Sequence, residues 1–429
     1  MPLLGRLRLW VASKAVRHGG HPKVLEIPDD YLSPADLMKE HSVDALRQTA
    51  EEYFSRLTEW KDHLTKPFSR IEDVPQLLIN FAVMIQGMEL VPGMTVLDFA
   101  AGSCWASHIF SQLGCRAIAL DVSPTALAIG KELYAKRPVI GDSIPPEFVV
   151  FDGRHIPLPD SSVDRILSFD AFHHVPNPQE VLWEMSRVLV DGGIAAFAEP
   201  GPRHSRAPQS QFEMKTFKVL ENDVVVEDIW RMAQAAGFSD LRLAGFNAAP
   251  FHVPLDGYRD LVDGGETSIH YIDLTRQFLS NVRDFFLRKG ERGPGDSRRP
   301  EGLRATIEIS VDSTTVRVGE TIRGRATVTN AGAPAWLPSE VPRGGVSLAA
   351  HLFRGNGELV NFDYAWMKLR AGVEGAPIRE GESVSVDLAI PAPAEPGIYT
   401  LEFDAVSNQV CWFGQMGSKT VRVEITVGH

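Results

Sequence analysis

The chain is short of cysteine, of long apolar runs and of positive charge, and each shortage excludes something. Three cysteines, Cys104, Cys115 and Cys411, stand in no CxxC or Cys/His metal spacing. So few, and odd in number, they cannot make the disulfide framework of a small secreted domain, and a reducing cytoplasm suits them best. No run of 18 apolar residues exists, so no stretch reads as a membrane-spanning helix. The 43 basic residues against 55 acidic ones leave a formal net charge of −12, whereas nucleic-acid binders present a basic face. No nucleic-acid partner is expected. Internal repeats and low-complexity tracts are also missing. What is present, 44% hydrophobic and 23% charged residues over 429 positions, suits a globular protein of two or three domains.

Residues 1–20 hold Arg6, Arg8, Lys14 and Arg17 and no acid. Arg6 and Arg8 break the apolar stretch that a signal peptide needs. Leu3, Leu4, Leu7, Trp10, Val11 and Ala15 can share one helical face, which suits peripheral contact with an anionic membrane at its inner, cytoplasmic side. A helix packed on the protein's own body, or a frayed terminus, fits the same pattern.

Four segments follow from composition and periodicity. Residues 1–66 read as a helical N-terminal extension and 67–289 as an α/β domain. There, short β-branched runs at 94–99, 115–120, 147–151, 164–169 and 193–199 alternate with helical patterns at 105–113, 124–136 and 178–189. Such alternation implies parallel βαβ units in a doubly wound, mostly parallel sheet. Further on, 224–236 reads as a helix, 240–246 as a strand and 274–288 as an amphipathic helix, while 247–268 fits no pattern. Residues 290–302, with four glycines, two prolines and no large apolar side chain, read as a linker. From 303 to 429 the period becomes two, as in Ala305, Ile307, Ile309 and Val311, or Val421, Val423, Ile425 and Val427. This predicts an all-β sandwich of about seven strands.

The chemistry concentrates in VLDFAAGSCWAS (96–107), where a strand ends near Asp98, a turn of small residues follows, and a helix begins. Asp121 closes the next strand and Asp152 follows the third. Small turn residues let a ligand approach the backbone, and an acid after the second strand can accept from ribose hydroxyls. A nicotinamide dinucleotide would fit those features too. However, the G-x-G-x-x-G spacing that admits a pyrophosphate is absent, and three acids at the strand ends would repel one. S-adenosylmethionine (SAM), with sulfonium and ammonium against one carboxylate, is net positive and suits them. Two further polar groups stand out: His173 and His174 after the fourth strand, and Glu199, His204 and Glu213 after the fifth. A histidine is the natural base for a hydroxyl acceptor, and His174 is the favoured one, ahead of His173, His204 and Glu213. Loop capping or packing explains the histidines equally well. The acids and histidines match no metal-ligand spacing, so no metal is expected.

These stretches resemble the class I SAM-dependent methyltransferases: VLDFAAGS as the first motif, ALDVS (119–123) the second, and FDGRHIPLPDSSVD (151–164) the third-strand loop. SFDAFHHVPNP (168–178) and LVDGGIAAFAEPG (189–201) resemble the fourth- and fifth-strand motifs. The resemblance implies that Asp98 and the turn at Ala100 and Gly102 hold the methionine end of SAM. It implies Asp121 on the ribose, Val122 against the adenine, Asp152 and the Gly153 backbone at the adenine edge, and the backbone near Phe169 on the ammonium. The chain departs from the family at two glycines, replaced by Ala100 and Cys104. Alanine there costs little if φ stays negative, while the Cys104 thiol is expected to crowd the helix entrance.

The segments around Asn330, Trp336, Tyr399 and Trp412 resemble the immunoglobulin-like carbohydrate-binding domains that accompany bacterial polysaccharide transporters. Trp336, Trp366 and Trp412 then become candidates for stacking on sugars, or for filling the core. The whole reads as a bacterial, cytoplasmic methyltransferase acting on a hydroxyl of a glycan or lipid-linked saccharide. The alternatives are a methyltransferase for a small molecule or lipid, and a non-catalytic SAM- or glycan-binding module.

Overall fold

The computed structural model describes residues 30–141, 144–245, 253–280, 282–370 and 375–429. The amphipathic reading of residues 1–20 lies outside them. The chain divides into two compact units, Met1–Leu90 with Met94–Glu291, and Val91–Gly93 with Arg292–His429.

Among the described residues of the first unit, four helices precede the sheet: α1 (Pro34–Glu40), α2 (Val43–Ser55), α3 (Lys61–Thr65) and α4 (Val74–Gly87). Ser33 and Ser42 start α1 and α2 as N-caps, their hydroxyls accepting from the Asp36 and Ala45 N–H groups. Then come β1 (Thr95–Phe99), α5 (Trp105–Gln112), β2 (Arg116–Asp121), α6 (Pro124–Lys136), β3 (Glu147–Val150) and β4 (Val163–Phe169). They are followed by α7 (Pro178–Val188), β5 (Leu189–Pro200), α8 (Pro208–Phe217), α9 (Val226–Ala235), β6 (Phe238–Leu243), α10 (Leu255–Val262), α11 (Glu266–Leu279) and β7 (Val282–Lys289). The strands form one sheet in the order β3-β2-β1-β4-β5-β7-β6. The neighbours from β3 through β5 are parallel, and β7 runs antiparallel to both β5 and β6. Both faces of β1 are covered, Leu97 and Phe99 by one core cluster and Val96 by another, which is why a parallel strand reads as an unbroken apolar run. This is the doubly wound, mostly parallel sheet expected.

One expectation fails here. The helix read over 274–288 ends at Leu279, and Val282–Lys289 is strand β7. Phe285 and Leu287 are fully buried two residues apart, and the Phe285 ring stacks on Phe197 of β5 at 4.7 Å. The pairing partners on either side, β5 and β6, decide for strand where a short apolar run leaves the period ambiguous.

Among the described residues the second unit is all-β: β8 (Ala305–Val311), β9 (Thr315–Arg317), β10 (Thr321–Asn330), β11 (Val346–Arg354), β12 (Leu359–Lys368), β13 (Ser383–Pro391), β14 (Gly397–Ser407), β15 (Cys411–Trp412) and β16 (Val421–Gly428). They make one sheet in the order β13-β10-β8 and another in the order β12-β11-β14-β16-β9, with β15 added to β14. Trp336 is fully buried in the core of this unit, edge-on to Phe413 at 5.2 Å, so it fills the core and stacks on no ligand. The stretch expected as a linker is partly built in. Ser297 is buried, its hydroxyl donates to the Gly344 carbonyl and accepts from the Leu337 N–H, and its own carbonyl accepts from Ser407.

Candidate active site

The carboxyl ends of β1, β2 and β3 bring Asp98, Asp121 and Asp152 to one edge of the sheet, as their positions in the sequence imply. Asp98 is buried, and its Oδ2 accepts from the Ser107 N–H at 2.9 Å and hydroxyl at 2.6 Å, tying the start of α5 to β1. Burial lifts its pKa to about 7 in spite of those two bonds. Asp121 accepts from the Ser123 N–H on Oδ1 and from the Gly102 N–H on Oδ2, each at 2.8 Å. Burial raises it to about 6, with Glu51 adding to the rise. Asp152 is exposed and differs: desolvation pushes its carboxyl up, but the N–H groups of His155 and Arg154 together with nearby positive charge outweigh it and hold it below the usual range. Gly153 beside it turns at φ +85°. Val122 is half-buried against the central core, and Phe169 meets Trp105 edge-on at 5.3 Å.

The turn after β1 corrects both expectations about the missing glycines. Ala100 adopts φ +54° and Cys104 φ +59°, alongside Gly102 at +53°, so neither residue keeps a negative φ. A left-handed non-glycine residue costs on the order of 1–2 kcal/mol, and two of them store strain in this turn. The Cys104 thiol does not stand at the helix entrance. Its side chain is buried with Ala119 and Leu127, and a Cβ placed on Gly130 of α6 would lie 2.2 Å from its sulfur. The glycine missing from the turn has in effect moved to α6. Nearby, the Ser103 hydroxyl is buried without a hydrogen-bond partner, a polar atom left for a ligand.

Helix α2 lies along all three loops, a part of the site that the sequence reading missed. Its Glu51 accepts from the Ser123 hydroxyl at 2.5 Å, the Thr125 hydroxyl at 2.6 Å and the Thr125 N–H at 3.2 Å. These bonds overcome burial and hold Glu51 at about 2. Phe54 comes within 3.8 Å of where a Cβ on Gly102 would sit, and the Arg47 chain within 3.3 Å of the equivalent point on Gly153. An acid on a polar helix more than 70 residues away carries no local signal of this role.

The histidines and the second acid group converge at the ends of β4 and β5. Glu199 is buried and accepts from the N–H groups of Phe172 at 2.8 Å, Ala171 at 3.2 Å and His173 at 3.3 Å, fixing the turn Phe172–His174. His173 is buried, with Nδ1 2.7 Å from Glu199 Oε2. Burial disfavours its charge, but Glu199 overrules it and lifts the pKa to about 9. His173 is therefore held in place, away from solvent. His174 is different. Its Nδ1 lies 2.6 Å from the Leu220 carbonyl, which can only accept, so Nδ1 carries the proton and Nε2 keeps a lone pair. The side chain is 37% exposed, and burial with the neighbouring His173 charge lowers its pKa.

His204 Nε2 lies 2.5 Å from Glu221 Oε2. Glu213, also buried, accepts from Gln209 at 2.7 Å. Glu221 is the centre of the group: His173 Nε2 is 3.9 Å and His174 Nδ1 3.7 Å from its carboxylate. Burial opposes its ionisation, yet the imidazoles of His174, His204 and His173 hold it far below the usual range. The structure thus gathers His173, His174, His204 and Glu213 as candidates and adds Glu221. Nothing local to Glu221 sets it apart, because it sits in a segment without regular structure.

Residues 97–197 match the family described as a methyltransferase domain. The chain is 29% identical over 143 residues to a demethylmenaquinone methyltransferase of Renibacterium salmoninarum, covering 33% of this chain and 56% of that protein. It is 34% identical over 110 residues to an uncharacterized methyltransferase of Mycobacterium ulcerans, covering 26% and 40%. The chain thus spans about half the length of the curated relatives it matches. Among solved structures, Haemonchus contortus phosphoethanolamine N-methyltransferase 2 in complex with S-adenosyl-L-methionine is 15% identical, covers 55% of this chain and 61% of that one, and gives a TM-score of 0.35.

Proposed function

From a methyltransferase domain at residues 97–197, with the sheet of a class I fold around it, we propose a SAM-dependent methyltransferase acting on a hydroxyl group. The site suits the cofactor: three acids at one sheet edge, an open turn at Gly102, and a buried Ser103 hydroxyl without a partner. Asp98 and the turn at Ala100 and Gly102 would hold the methionine end, with the Phe169 backbone on its ammonium. Asp121 would bind the ribose, and Val122, Asp152 and Gly153 the adenine. Bound there, SAM supplies an activated methyl group. The chain's own residues have two tasks, orienting the acceptor and removing its proton.

The observation that carries the reading is His174. With Nδ1 committed to the Leu220 carbonyl and a depressed pKa, this partly exposed ring in its neutral form keeps a lone pair on Nε2, at the same sheet edge as the acids. His173, charged and buried between Glu199 and Glu221, packs its ring 3.9 Å from that of His174. Two readings of the acceptor stand. A saccharide is supported by the second unit, where Trp366 (46% exposed) and Phe362 gather around the half-buried Trp412. A small molecule is supported by the demethylmenaquinone methyltransferase likeness.

The test is calorimetry with SAM, followed by transfer of labelled methyl to panels of saccharides and of small phenols. His174→Ala should lower turnover by about 10²–10⁴ and leave SAM affinity unchanged. A loss under threefold moves the base elsewhere, to His204 first.

A further inference from the structure

We propose that His173, His204 and Glu221 hold a divalent transition-metal ion, for which zinc(II) is the best match. Two imidazoles and one carboxylate are a donor set that zinc takes readily, with a position left for water or an acceptor oxygen. The donors already meet on one oxygen: Glu221 Oε2 is 2.5 Å from His204 Nε2 and 3.9 Å from His173 Nε2. In a tetrahedral site with bonds of about 2.0–2.1 Å, ligand atoms lie roughly 3.3 Å apart. The first distance would lengthen and the second shorten, each by less than about 1 Å, within reach of small side-chain rotations.

Two further observations favour an ion over a purely protonic network. The first is the support behind His173. Its Nδ1 faces Glu199 Oε2 at 2.7 Å, and Glu199 is itself fixed by backbone N–H groups, which aims Nε2 at Glu221. A carboxylate behind a ligating histidine is how metal sites fix ring orientation and tautomer. The second is charge. Glu199 and Glu221 are both buried, and the ion pairs they make are with histidines. A divalent cation offsets two buried carboxylates and takes Nε2 of each imidazole in its unprotonated form. His174 stays outside the set, because Nδ1, its nitrogen that faces Glu221 at 3.7 Å, is the one that donates to the Leu220 carbonyl. The spacing 173, 204, 221 matches no metal motif because its members come from three separate loops.

The experiment uses the untagged full-length protein purified without chelator. Elemental analysis should find about one zinc per chain. After stripping and dialysis, cobalt(II) should give a saturable visible d–d band at one equivalent. Glu221→Gln and His204→Asn should each weaken cobalt(II) binding at least tenfold, and Glu199→Gln by roughly ten- to a hundredfold. His174→Ala should leave it within twofold. Circular dichroism checks folding, and if Glu221→Gln does not fold, His204→Asn carries the test. A wild-type protein with no saturable band overturns the proposal, as does a band unchanged in a folded Glu221→Gln or His204→Asn protein. SAM calorimetry on the same samples separates the two readings: SAM binding without cobalt sinks only the metal, and cobalt without SAM sinks only the methyltransferase.

Discussion

Asp121 builds its turn and is proposed to bind the cofactor, and its charge state links the two. Its oxygens already accept from the Gly102 and Ser123 N–H groups, with lone pairs left for ribose hydroxyls. Hydrogen bonds to a charged acceptor are worth about 1.5–3 kcal/mol, so Asp121→Asn should weaken SAM binding roughly ten- to a hundredfold. Burial raises the folded pKa from the usual 3.8 to about 6. Below that value the carboxyl is neutral in the free protein, and binding that needs the anion must expel a proton. SAM affinity should therefore rise with pH through about 6 and, because Asp98 in the same site is raised to about 7, level off only above about 7, with the buffer-dependent binding heat on the acid side. An affinity independent of pH between 5 and 7.5, or a wild-type affinity in folded Asp121→Asn, would remove Asp121 from the site.

Among the elements, α5 and α6 show how a departure in one place is absorbed in another. Cys104 caps α5 in a left-handed conformation, and its sulfur occupies the space that a side chain at Gly130 would fill. Glycine to alanine inside a helix ordinarily gains about 0.5–1 kcal/mol. At Gly130 the added methyl would instead collide with the Cys104 sulfur, and overpacking typically costs about 1–3 kcal/mol. Gly130→Ala should therefore lower the thermal midpoint, and adding Cys104→Gly should recover most of the loss. A Gly130→Ala protein as stable as wild type would disprove the fit. Helix α2 makes the same point at longer range, since its Glu51 completes the N-terminus of α6 through Thr125 and Ser123.

At the scale of the molecule, the second unit is where the acceptor reading stands or falls. Cutting the chain near 290 is a poor test, because Val91–Gly93 belong to the second unit and the Arg298 guanidinium donates to the Gly93 carbonyl within it. Substituting the rings of the unit's aromatic cluster is cleaner. Trp366→Ala together with Trp412→Ala should raise the apparent KM for a long saccharide and leave that for a short one unchanged, since a tethered binding surface acts through local concentration. Equal kinetics on both would assign the second unit to another task and favour the small-molecule acceptor. No helix among the described residues is long and apolar enough to cross a membrane.

Local pattern determined a good deal by itself. The alternation of β-branched runs with helical stretches was enough for the parallel core of the first unit, because buried parallel strands are continuous apolar runs. The period of two was enough for the all-β second unit. The acids at 98, 121 and 152 and the histidines at 173 and 174 were legible because strand ends in such a sheet share one edge. Tertiary structure decided the rest, wherever the energy comes from a partner far along the chain. It made a strand of 282–289 by supplying β5 and β6 on either side, and buried Trp336 against Phe413. It turned the Cys104 thiol toward Gly130, laid Glu51 on the second loop, and put Glu221 among three histidines. A side chain's neighbours fix its charge and its reach, and those neighbours are chosen only when the chain has closed on itself.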